Sequence, residues 1–92
     1  MYRIKKLQYK RAKSLGVEIK PSTKKGKKID VFKNGKKVAS IGAKGYNDYA
    51  TYIEKKGINY ANVRKKLYKI RHQKDRMVVG SAGYYADKIL WS

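Results

Sequence analysis

Between Lys28 and Tyr49 two short runs of β-prone residues lie on either side of Asn34-Gly35, and beyond Asn47 the apolar positions recur every three or four residues. A period of two predicts strands, and spacing of three and four predicts helices. Asn34-Gly35 between two β-prone runs is the strongest short-range hairpin signal, because both loop residues of a type I′ turn need φ > 0. With that dipeptide as the loop, Phe32 faces Lys37, Val31 faces Val38, Asp30 faces Ala39 and Ile29 faces Ser40. Ile29, Val31 and Val38 then share one face, and Phe32, Ala39 and Ile41 the other. A lone two-stranded ribbon is marginal in water, so the helices that follow are expected to cover it.

The first of these helices starts at Asn47 or Asp48, runs to Lys56 and stops at Gly57, with Tyr49, Tyr52 and Ile53 as its apolar stripe. Asn59 caps a second, longer helix in which Tyr60, Val63, Leu67 and Ile70 mark a single buried seam. Val78-Val79-Gly80 breaks the pattern, and Ser81 caps a last helix through Tyr84, Tyr85, Ala86, Ile89, Leu90 and Trp91. Upstream, Ile4, Leu7, Arg11 and Leu15 lie at helical spacing, and Gly16 is placed to end a short basic helix from about Leu7 to Leu15. Pro21-Ser22 and the lysines up to Lys28 read as an extended connector. The predicted fold is α+β: a small single domain at 28–92, a β-hairpin packed by two or three helices, preceded by a basic, partly flexible segment at 1–27.

Charge changes this picture more than length does. The 92 residues carry 25 Lys and Arg against 6 Asp and Glu, a formal charge of +19. Self-repulsion of that size costs folding stability, and a polyanion is the usual reason for tolerating it. Nucleic acid is the first candidate and an anionic membrane the second, but no apolar run approaches a membrane span and no secretory h-region follows Met1. The absence of cysteine excludes disulfides and thiolate metal sites.

The groups that carry chemistry are scattered. Glu18, Asp30, Asp48, Glu54, Asp75 and Asp87 contain no pair spaced to share a helical face, as general acid and base or a two-metal site would require. His72 is the only histidine and lies in a basic helix; Ser40 and Ser81 belong to no nucleophile motif. Gly42-Ala43-Lys44-Gly45 lacks the spacing of an NTPase phosphate loop, although its glycines either expose amides to a phosphate at the next helix start or only make the turn. The nine tyrosines divide between core positions and positions among lysines, where they pack at the rim or stack on bases. No enzyme, cofactor, metal or small-molecule substrate is expected.

Three blocks resemble a known family: Ser40-Ile41-Gly42-Ala43-Lys44-Gly45-Tyr46-Asn47-Asp48-Tyr49 with Thr51, then Tyr68-Lys69-Ile70-Arg71-His72, and Gly80-Ser81-Ala82-Gly83-Tyr84-Tyr85-Ala86-Asp87-Lys88-Ile89-Leu90-Trp91. In this order they look like the short basic virion DNA-binding and packaging proteins of nucleocytoplasmic large DNA viruses, the giant viruses. The resemblance implies a virion-packaged, non-enzymatic protein that binds and condenses the viral genome, histone-like in role without a histone fold. It also implies residence in the virion and in the host cell, in the cytoplasmic viral factory or the nucleus. The block tyrosines, Arg71, His72 and Trp91 match family positions, and the N-terminal segment inherits no role.

The expected function is sequence-tolerant binding of double-stranded DNA for packaging or compaction. Its phosphate contacts are assigned to Arg3, Lys5, Lys6, Lys10, Arg11, Lys13, Lys24, Lys25, Lys27 and Lys28 in the leader, and to Lys33, Lys36, Lys37 and Lys44 around the hairpin. Arg64, Lys65, Lys69, Arg71, His72 and Lys74 supply the rest. Compaction needs bridging, by self-association or by two basic faces. The apolar C-terminal residues must dock on the domain, as most of them are expected to, or on a second copy. The expected homo-oligomer is joined through Tyr85, Ile89, Leu90 and Trp91. No membrane is expected as partner. The alternatives are an RNA-binding protein of ribosomal type, a virion scaffold protein, and a nuclease using Asp30 or Asp48.

Overall fold

The computed structural model describes residues 2–92. In order, the elements are α1 (Lys6–Ser14), β1 (Glu18–Pro21), β2 (Lys27–Lys33), β3 (Lys36–Ala43), α2 (Tyr49–Lys56), α3 (Ile58–Arg71), a 3₁₀ turn (Asp75–Met77) and α4 (Ala82–Tyr85), which runs on into a π-helical turn (Ala86–Leu90). The strands form one antiparallel sheet in the order β1-β2-β3. The α+β class expected from the pattern is the class observed.

Asn34 and Gly35 make the hairpin loop with φ of 53° and 78°, and Lys33 and Phe32 pair with Lys36 and Lys37. One residue later the register departs from expectation, because Val31 pairs with Ala39 and Val38 is left over as a bulge. A one-residue slip exchanges the faces of everything beyond it. Ala39 and Ile41 therefore join Ile29 and Val31 on the inner face, while Val38 stays exposed. The bulge turns a ribbon with apolar residues on both faces into one with a dry side.

The leader contains the expected short helix, as α1, but it is packed into the fold rather than a partly flexible segment ahead of it. Val17 and Ile19 are buried, β1 pairs Ile19 with Val31, and Ala12 of α1 enters the same core. The division at residues 27 and 28 therefore cuts through a continuous sheet. Two apolar residues among Glu18, Lys20 and Pro21 were too few to mark a strand, but an edge strand needs only one buried face.

The cover over the sheet also differs. It comes from α1 and from the C-terminal helical segment, whose Tyr85, Ile89 and Leu90 complete the core with Ile29, Val31 and Ile41. The three C-terminal residues assigned to self-association are thus spent within the chain, and that assignment is corrected. Gly42, at φ 77°, lets β3 come close to this segment: a Cβ there would lie 3.0 Å from Leu90 Cδ1 and from Lys28 Cδ. The helices α2 and α3 pack chiefly on each other across Gly57.

In α3 the expected direction is reversed. Ala61 is fully buried, whereas Tyr60, Val63, Leu67 and Ile70 are 44, 58, 46 and 65% exposed. Spacing tells which side chains share a face, not which way that face points. The small Ala61 allows α3 to approach α2 closely, and the seam faces solvent. Among the described residues no helix is long and apolar enough to cross a membrane.

Candidate nucleic-acid interface

Three elements meet at a cleft of about 450 Å³: the glycine-containing end of β3, the face of α3 beside its buried side, and the π-helical turn with Trp91. Ser81 starts the C-terminal segment by accepting a hydrogen bond from the Tyr84 N–H at 3.1 Å, and the segment carries Trp91 to α3. There the indole stacks on Tyr68 with ring centres 4.5 Å apart and planes 8° from parallel. His72 stacks on Tyr68 at 4.4 Å. Tyr52 leans on Trp91 and Tyr60, and the Arg64 guanidinium lies over the Tyr52 ring at 5.5 Å. Burial first, and then the charges of Asp87 and Asp75, push the Tyr68 phenol up to about 12, so it remains neutral.

The cleft gathers Arg64, Arg71, His72 and Lys28 from the predicted set. Arg64 and Arg71 make no ion pair among the described residues, while His72 Nδ1 lies 3.6 Å from Asp75. Lys28 is the exception to the assignment. It is 5% exposed, its Nζ is 3.2 Å from Asp48 Oδ2, and it also donates to the Tyr46 carbonyl. An incoming phosphate would have to displace a buried carboxylate, so Lys28 is withdrawn from the DNA-binding set and is structural.

Asp48 explains why the start of α2 receives no phosphate either. Its Oδ1 accepts the Thr51 N–H at 3.0 Å as the helix N-cap. Its Oδ2 accepts the Tyr2 hydroxyl at 2.6 Å, and that hydroxyl in turn accepts from buried Gln8 at 2.8 Å. Burial works to raise the Asp48 pKa, but the Tyr2 hydrogen bond and the Lys28 charge outweigh it and hold the carboxyl below its ordinary value. Tyr2 is pushed up, by burial and then by that same bond. Gly42 and Gly45, with φ of 77° and 92°, make the turn.

On the other side of α3, Lys65, Lys66, Lys69 and Arg76 surround a hollow with Asn62, Ile70 and Gln73. Burial, followed by the charges of Lys69 and Arg11, depresses the Lys65 pKa. Lys69 is partly engaged, 2.7 Å from fully buried Asp87, which also has Lys88 at 3.8 Å and Arg76 at 4.0 Å. Lys66 and Arg76 were absent from the predicted set; their only sequence signal was membership of the basic run through α3 and the 3₁₀ turn after it.

Elsewhere Arg3, Lys6, Lys10, Lys13, Lys24, Lys25, Lys33, Lys36, Lys44 and Lys74 are exposed, and Arg11 and Lys27 are half-buried. Lys5 pairs with Glu54 at 2.9 Å, and exposed Lys37 lies 3.6 Å from Asp30. Asp30 is itself buried and accepts from Ser22 and Ser40 at 2.6 and 2.7 Å. Burial raises its pKa, and these two hydrogen bonds lead the interactions that bring it below the ordinary value. No group of three or more His, Cys, Asp or Glu able to hold a metal occurs among the described residues.

Trp91 is half-buried against Tyr68, so its predicted role in self-association is replaced by one in closing the cleft. Trp91→Ala is expected to lower stability by about 2 kcal/mol, less than the ~3–5 kcal/mol of a fully enclosed aromatic, because one side remains open. A shifted urea midpoint at unchanged slope, with the sedimentation behaviour of the wild type, is the expected record. A normal midpoint with altered sedimentation would restore the assembly role.

A family of unknown function, DUF5754, matches residues 17–55. The match takes in the sheet, the Asp48 cap and most of α2, and it leaves Arg64, Arg71, His72 and Trp91 of the cleft outside. No curated protein and no solved structure matches the chain.

Proposed function

We propose that this protein binds double-stranded DNA without regard to sequence, through its phosphates, and serves in the packaging or compaction of a genome. The carrying observation is the distribution of unmatched charge. Of the 25 lysines and arginines, only Lys5, Lys28, Lys37, Lys69, Arg76 and Lys88 reach an acid among the described residues. The remaining countercharge must come from outside the fold, and a polymer of phosphates supplies it at the required density.

The aromatic arrangement favours a duplex over a single strand. Tyr68 has a ring on each side, Trp91 and His72, so it offers no face to an unpaired base. Beside it stand Arg64 and Arg71, which suit phosphate oxygens, and Tyr46 is the exposed ring at the cleft. Bridging, which compaction requires, falls to separate cationic elements, the hairpin tip with Lys33 and Lys36 and the α3 group, since Tyr85, Ile89 and Leu90 lie within the core.

The test compares duplex DNA, single-stranded DNA and duplex RNA of equal length, using wild type and the Arg64→Gln/Arg71→Gln double variant. Duplex DNA is expected to bind best, independent of sequence. The double variant should weaken all duplexes alike and reduce the salt slope by about two. Equal or better binding of structured RNA would replace this reading with the ribosomal-type one. Loss of all binding near about 150 mM salt would replace it with a scaffold role.

A further inference from the structure

Apart from Tyr60, whose ring meets Tyr52, the outward seam of α3 is left exposed among the described residues. Tyr60, Val63, Leu67 and Ile70 stand at intervals of three, four and three residues, the spacing of one coiled-coil stripe, over roughly 15 Å of helix. All four are more than two-fifths exposed. One aromatic and three aliphatic side chains so placed in a row, opposite buried Ala61, mark a contact surface rather than scattered surface residues.

We infer that this seam docks an acidic amphipathic helix of another protein, apolar along one stripe and carrying Glu or Asp beside it. The borders of the seam decide the occupant. In heptad terms the flanking positions are Asn59, Arg64, Lys66 and Arg71, and α3 contains no acid along its length. A second copy packed in parallel would set Lys66 against Arg71, and an antiparallel one would set Lys66 against Lys66 and Arg64 against Arg71. Either orientation desolvates like charges around a short seam. A partner with carboxylates at the facing positions meets all three cations instead.

The width of the stripe favours a helix over a membrane. Arg64 and Arg71 border it on one side and Lys66 on the other, which leaves the single stripe of helix pairing. An interfacial membrane helix carries a broader apolar face. Val63 and Leu67 line neither the cleft nor the lysine hollow, whereas Ile70 and Lys66 border the hollow and Arg64 and Arg71 the cleft, so a docked helix and a duplex share the flanking cations but not the centre of the seam.

The probe is a synthetic helix about three heptads long with Leu at the seam positions and Glu at the flanks. Two controls keep its length: one with Lys at the flanks, one with Ser along the seam. The full chain should bind the first and neither control. Val63→Ser/Leu67→Ser, at exposed positions, should keep the wild-type melting temperature and DNA affinity while losing about tenfold or more in affinity for the acidic helix. Equal binding of the acidic helix to this variant would reduce the effect to charge attraction and overturn the inference. So would a dimer in sedimentation that Leu67→Ser abolishes. Failure to bind the acidic helix, with seam-dependent binding to phosphatidylglycerol vesicles, would overturn it in favour of a membrane surface.

Discussion

Affinity for duplex DNA is expected to fall by about 10³- to 10⁵-fold between roughly 50 and 200 mM salt, if about 6–10 phosphates are neutralised. The magnitude follows from counterion release: each phosphate contact returns a condensed cation to solution, so added salt opposes every contact at once. With 25 basic side chains and few internal pairs, the supply of contacts is not limiting. Curvature and the spacing of phosphates set how many engage together. A titration series at constant pH measures the slope. A slope of about one would mean that the cations of α3, the hairpin tip and the leader do not act on one duplex, and multi-element binding would be refuted.

The second large effect concerns stability. Asp48→Ala is expected to cost about 3–5 kcal/mol, because it leaves the Lys28 ammonium buried without its counter-ion. The Tyr2 hydroxyl and the Thr51 N–H lose their acceptor in the same step. A domain of this size has roughly 5–14 kcal/mol in total, so the variant should be partly unfolded at modest urea. Asp48→Asn, which retains a capping oxygen but not the charge, should fall between.

The pH dependence carries the opposite sign from that of a stabilised cation. Asp48 and Asp30 are both held below the ordinary value of 3.8 in the folded state. Their contribution is fully present above the unfolded value and is lost as pH falls through the folded ones. Acid unfolding should therefore steepen below about pH 4 and be shallower in Asp48→Asn. An unchanged acid limb in that variant would show that the buried pair does not govern acid stability.

Local signals were legible at several points where a backbone conformation demanded a residue type, though not at the start of α3, where Gly57 and not Asn59 holds the cap position. Asn34-Gly35 predicted the loop, Asp48 and Gly57 bounded α2, and Ser81 capped the C-terminal segment, because each depends on φ or on an unpaired amide within a few residues. The candidate cations were legible too, since lysine and arginine rarely leave the surface. Lys28 could not be recognised as an exception. Its burial depends on Asp48, twenty residues away, and on Gly42 leaving room beside it.

What the chain alone dictates is the excess of positive charge, the α+β class, the hairpin loop and the bounds of α2. These are sums over residues or short-range conformational preferences, and they hold whatever the tertiary arrangement. Direction and partnership were decided only on folding. The Val38 bulge chose which face of β3 became dry, β1 was recruited because an open sheet edge offered it hydrogen bonds, and burial of Ala61 turned the seam of α3 outward. Each outcome depends on packing between segments distant in sequence, where a one-residue shift in register or a rotation of one helix exchanges core for surface.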